Sequence, residues 1–185
     1  GDDMPIYQAF TIGRIRVVMT DLRSARSDRT IVGDEQWRWL NGQLQAAASL
    51  GEVVLWVNTV PWITAEDRTS DHWGAFAEER MAISTLIDII GVDVVMLGGD
   101  AHMVAIDDGT NSAYGHEPPG IVVFHAGALD RPGSLKGGPY SHGAVPGGGQ
   151  FGLVEVRDDG TTIELRLTGL DWEGRVLVEH EVAFR

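Results

Sequence analysis

Val94-Val95-Met96-Leu97-Gly98-Gly99-Asp100-Ala101-His102 is the stretch on which the reading of this chain turns: an apolar run stops at two glycines and then presents a carboxylate and an imidazole. A short apolar run bounded by glycine is the pattern of a buried central strand. The glycine pair admits backbone conformations closed to other residues. Polar, metal-competent side chains therefore emerge at the carboxyl end of a buried strand, the edge where open α/β sheets bind ligands. The competing reading is turn chemistry, with Asp100 capping the next turn and His102 hydrogen-bonded in a loop.

Working back toward the amino terminus, the same punctuation repeats. Trp73, Phe76, Ile83, Ile87 and Ile90 share a helical face that opens at Asp71, a suitable N-cap, and closes at Gly91. Before it, Glu52 to Val57 reads as a buried strand ending at Asn58 and stopped by Pro61. Gly33-Asp34-Glu35 opens an earlier helix whose stripe is Trp37, Leu40, Leu44 and Ala47. Ile15 to Met19 is the first strand and ends at Thr20-Asp21. Strand, helix, strand, helix, strand with short joints is the signature of parallel right-handed crossovers. All three strands then point their carboxyl ends one way, so Asp21, Asn58, Asp100 and His102 can share an edge.

Two readings stay open for several of these residues. Arg23 and Arg26, on the loop after the first strand, can grip a phosphate bidentately or pair with Asp21. Asn58 can be a metal or phosphate ligand or can satisfy loop backbone groups. His142, in the Gly- and Pro-rich loop from Gly133 to Gly149, is a candidate for substrate or metal contact or an exposed side chain. Ser141 beside it offers a nucleophile, with no nucleophile-elbow motif around it. Asp107-Asp108-Gly109 reads as a turn, because the calcium-loop spacing is missing. Ile121 to Phe124 is a further buried strand. Phe151 to Arg157, Thr161 to Leu167 and Arg175 to Phe184 read as antiparallel hairpins.

The 185 residues suffice for a single domain, with a soft boundary at the Gly-rich loop. The net charge of -13 opposes broad capture of nucleic acid or an anionic membrane face, while leaving room for a local cation site. With no cysteine, a metal would have to sit on Asp, His, Glu, Asn or backbone oxygen. The opening Gly1-Asp2-Asp3, with no Met before it, is read as a polypeptide that starts inside a longer one.

Five segments in order carry a family resemblance: Asp21-Leu22-Arg23-Ser24-Ala25-Arg26, Gly33 through Leu40, Asn58-Thr59-Val60-Pro61-Trp62, Asp71 through Phe76 with Glu79-Arg80, and Gly99-Asp100-Ala101-His102. Together they resemble the carboxyl-terminal half of the alkaline phosphatase D-like (PhoD-like) branch of the calcineurin-like metallophosphoesterases, and Gln150 to Val156 resembles that family's closing strand. The resemblance implies half of an α/β/β/α sandwich: a parallel βαβαβ unit followed by antiparallel hairpins. It implies a two-metal centre of divalent or ferric ions acting on a phosphoester, with Asp100 and His102 in the last metal-binding motif and Asn58 where another site segment would fall. A metal-bound hydroxide would attack phosphorus while cations and arginines neutralise the developing charge. The family's earlier motifs do not occur here. The expectation is therefore a phosphoesterase in the parent protein, a chain inactive by itself, and self-association through uncovered surface. The alternative is a non-catalytic α/β binding domain without a metal site.

Overall fold

The structure is a computed structural model that describes residues 6–115 and 117–185, so Gly1-Asp2-Asp3 lies outside the described residues. The parallel core forms as the pattern predicts. Strand β2 (Ile15–Met19) pairs in parallel with β3 (Val53–Asn58), and β3 pairs in parallel with β4 (Val94–Gly98). Helices α1 (Asp34–Leu50) and α2 (Ala77–Ile90) make the two crossovers. Each ends on a left-handed glycine, Gly51 and Gly91, whose N–H returns to carbonyls of the last turn.

Four further strands complete a seven-stranded sheet of order β1-β2-β3-β4-β6-β5-β7. β1 (Gln8–Ile12) makes an antiparallel hairpin with β2, and β5 (Met103–Asp107) runs antiparallel to both β6 (Val122–Gly127) and β7 (Ala144–Pro146). The strands β1 and β5 are additions to the sequence reading, and β7 lies inside the stretch expected to be all loop. The carboxyl-terminal hairpins form a second sheet, β8 (Gln150–Asp158), β9 (Ile163–Asp171) and β10 (Val176–Phe184), all antiparallel.

Strand alternation gives the large sheet two apolar faces. Val54, Trp56, Val94, Met96 and Val123 pack on Leu40, Leu44, Ile83 and Ile87 of the helices. Leu55, Val95, Val104, Ile106 and Phe124 pack on Ile163, Leu165, Leu167 and Val178 of the small sheet. The described residues thus build helix, sheet and sheet, three layers of the sandwich the resemblance implies.

One local expectation is corrected and a second is refined. The entry to α2 is a single tight turn at Trp73–Phe76 whose cap is His72, with Nδ1 accepting from Gly74 N at 3.2 Å; Asp71 is exposed. In α1 Trp37 is half-buried and packs against the core as expected, and the fully buried residue of the first turn is Gln36. Gln36 Oε1 accepts from Asp21 N at 2.7 Å, and its Nε2 donates to Asp21 O and Val32 O. A buried amide with its polar atoms so used rigidifies its surroundings, and here it locks the loop that leaves β2.

Candidate active site

The parallel register aligns the strand ends. Asn58 lies opposite Gly98, Thr20 N donates to Val57 O at 3.2 Å, and Gly99 N donates to Asn58 O at 3.3 Å. Asp21, Asn58 and the Gly98–His102 loop therefore stand at one sheet edge, as predicted. Beside it a cleft of about 470 Å³ opens between the sheets, with Asp100 and Thr59 at its polar end and Leu97, Phe124 and Val154 on its apolar wall.

Asp100 adopts φ 65°, the only positive φ outside glycine among the described residues. Asp tolerates this region better than most residues, yet such a conformation needs support from its surroundings. Support comes from the loop after β6. Lys136 Nζ donates to Asp100 Oδ2 at 2.8 Å, Ser134 N donates to His102 O at 3.0 Å, and Pro132 O lies 3.0 Å from His102 Nδ1. A carbonyl can only accept, so Nδ1 carries the hydrogen, and in the neutral ring the lone pair is then on Nε2. That arrangement orients His102 as either a base or a ligand, since a backbone carbonyl on the other nitrogen is the usual support of a metal-bound imidazole.

Beneath Gly98 lies His125, fully buried, with neither ring nitrogen in a hydrogen bond and its ring at 83° to that of Tyr140. Burial pushes the imidazole down to about 4, with the Gly99 backbone and the Asp100 charge only partly opposing it. A Cβ on Gly98 would lie 2.4 Å from the His125 ring. Glycine at this strand end is thus a packing requirement.

The other expected site residues are placed as follows. Asn58 is 1 % exposed and spends its amide in the core: Nδ2 donates to Val60 O at 2.6 Å, and Oδ1 accepts from Trp73 Nε1 at 3.0 Å. Trp73 in turn packs edge-on against Trp56 and Trp62, so Asn58 is the polar anchor of a buried tryptophan cluster. Asp21 is held by backbone donors and not by arginine: Ile6 N, Arg23 N and Ser24 N all reach its carboxylate. Burial alone would raise its pKa, but the Ser24 hydroxyl together with these backbone bonds outweighs that and lowers it. Arg23 is exposed at this edge. Arg26 reaches Asp71 O and Ser70 O and covers the Phe76 ring at 5.2 Å, which makes it a brace between loops.

His142 is at the other end of the molecule's sheet. Its N donates to Ile106 O, and β5 runs back from His102 to Asp107, so four residues of extended chain separate it from the Asp100 edge. There it faces Asp108 at 3.4 Å and stacks on His180 at 4.3 Å, while Ser141 Oγ bonds Asp108. Neither Ser141 nor His142 meets Asp100 or His102. The residues that sequence reasoning missed are Lys136, the chain's only lysine, and His125, which follows the apolar run Ile121 to Phe124 inside β6.

Among the described residues no three His, Asp or Glu side chains converge as a metal shell requires. Asp100 and His102 have the right donor chemistry. Asp100, however, already holds an ammonium, and Asn58 has no amide atom to spare. The described residues therefore do not by themselves fit the two-metal centre that the resemblance implies. A family model described as PhoD-like phosphatase matches residues 1–142, well over half of the chain. No curated protein matches it.

Proposed function

The chain belongs to the PhoD-like phosphatase family, and from that premise we propose that it contributes the Asp100–His102 edge of a phosphoester hydrolase. Phosphatases of this family are generally metal-dependent. The observation that carries the reading is the pair itself: a carboxylate in a supported left-handed conformation and, two residues on, an imidazole whose Nδ1 is held at 3.0 Å by Pro132 O. When bound, metal ions in such an enzyme supply the activated water and neutralise phosphoryl charge. The chain's own residues do the rest. His102 Nε2 is oriented to accept a proton or hold a cation, Asp100 supplies the adjacent negative charge, and exposed Arg23 offers a guanidinium to phosphoryl oxygens at the same edge. The wall of Leu97, Phe124 and Val154 makes one side of the cleft apolar.

In this reading Asp100 and His102 are part of a ligand set, and the remaining ligands come from residues beyond those described. The chain alone then retains no stoichiometric metal and gives no turnover. Elemental analysis of the purified chain, with hydrolysis of a chromogenic phosphodiester measured with and without Mn²⁺, Ca²⁺ or Fe³⁺, tests this. A tightly held metal with turnover would mean that these residues complete the centre unaided. If the longest polypeptide the gene encodes binds phosphoesters and never hydrolyses them, the non-catalytic binding domain becomes the better account.

A further inference from the structure

Three alternate residues of one strap grip the functional edge. Pro132 O holds His102 Nδ1, Ser134 N holds His102 O, and Lys136 Nζ holds Asp100 Oδ2, at 3.0, 3.0 and 2.8 Å. The strap's end is fixed from below. Buried Tyr140 donates its hydroxyl to Lys136 O at 2.9 Å, Gly138 N donates to Ile63 O at 2.8 Å, and a Cβ on Gly137 would lie 2.1 Å from Ile63 O. Lys136 is thus carried on anchored backbone, and no other lysine exists in the chain to take its place. The carboxylate it meets is the one that the resemblance would assign to a metal.

We propose that Lys136 is the resident cation of Asp100 in this chain, closing the β4 edge through the Pro132–Lys136 strap, so that a divalent cation reaches Asp100 Oδ2 only by displacing the ammonium. The inference rests on the reading of this edge as the functional one. An ammonium at 2.8 Å satisfies the carboxylate's charge and one of its acceptor sites. Asp100 and Lys136 are each about a third exposed at the side chain, 28 % and 36 %. Exposure of that order makes the pair worth a modest factor, and the competition is correspondingly modest.

Two measurements test it, and neither depends on hydrolysis. In the first, Mn²⁺ is titrated into the chain and followed by electron spin resonance, comparing the native sequence with Lys136→Met, Lys136→Arg and Asp100→Asn. Removing the competitor in Lys136→Met tightens Mn²⁺ binding about three- to fivefold, the size expected for a partly exposed ion pair. Lys136→Arg, which keeps a cation in place, stays near the native value, and Asp100→Asn loses the effect. Equal affinities for the native and Lys136→Met chains, or no binding to either up to about 10 mM, a limit at which binding free energy falls below ~3 kcal/mol, would overturn the proposal. In the second measurement, acylation of the single lysine is quantified by peptide mass spectrometry with the chain's α-amine as internal reference. Asp100→Asn releases Lys136 from its partner and speeds its acylation several-fold relative to the α-amine. An unchanged ratio would overturn the proposal even if the phosphoesterase reading survived. A changed ratio in a chain that proves non-hydrolytic would uphold it without that reading.

Discussion

His125 is the residue whose environment makes the sharpest demand. Its imidazole, fully buried and held at about 4, titrates near 6.5 when the chain is unfolded. Between those values the unfolded chain binds a proton that the folded chain refuses, so stability is full above about pH 6.5 and falls as pH drops toward 4. The contribution at stake is up to ~3 kcal/mol. His125→Leu removes it, so urea denaturation across this window should show a shallower pH dependence than the native chain; identical slopes would mean that His125 is not buried neutral. The same contact fixes its neighbour. Gly98→Ala forces a methyl against a ring with nowhere to go and costs about 1–3 kcal/mol in urea denaturation. A loss below about 0.5 kcal/mol, the level of an unconstrained surface change, would contradict the packing seen at Gly98.

At the scale of the element, α2 does more than fill the core. Arg80, 2 % exposed, donates to Trp62 O and Thr64 O at 2.8 Å each and lies over the Tyr114 ring at 3.7 Å. Burial lowers its pKa, but its basicity starts so high that it stays charged. From this one helix position it braces the loop that follows Asn58. Arg80→Met leaves two loop carbonyls without their donor and lowers stability by about 2–4 kcal/mol. Arg80→Lys does not restore it, because an ammonium lacks the flat guanidinium face that lies over the Tyr114 ring. Full recovery in the lysine variant, read from the urea midpoint, would show that charge alone matters there. The helix also shows where sequence reading stops: the stripe and the glycine stop at Gly91 were legible because both are local. The true start at His72–Trp73 was not, since Asp71 is an equally good cap by type and only packing of Trp73 against Asn58 decides between them.

For the whole molecule, the parallel unit from Ile15 to Gly98 could be read from apolar runs and their stops, and so could the common edge that gathers Asp21, Asp100 and His102. The carboxyl-terminal hairpins were legible from their alternation and turns. β1 was missed because its side chains are mostly exposed, and β5 because it begins directly after His102 with no turn residue to announce it. That missed strand is also why His142 was expected near Asp100: a strand that returns antiparallel carries its flanking loop to the opposite edge, and no local pattern encodes the direction. Asn58, at a strand end, and Arg26, on the loop after β2, are polar residues whose partners, Trp73 and the carbonyls of Ser70 and Asp71, lie far along the chain. Lys136 meets Asp100 for the same non-local reason.

In the proposed function, phosphoester hydrolysis runs through the loop after β4. Its most direct test is the turnover of a chromogenic phosphodiester by the longest polypeptide the gene encodes, native against Asp100→Ala, with both forms shown to be folded. A fall of about a hundredfold or more, the range for losing a group that supports transition-state charge or proton transfer, is the predicted result. Turnover unchanged by Asp100→Ala would contradict it and place the chemistry elsewhere in the protein.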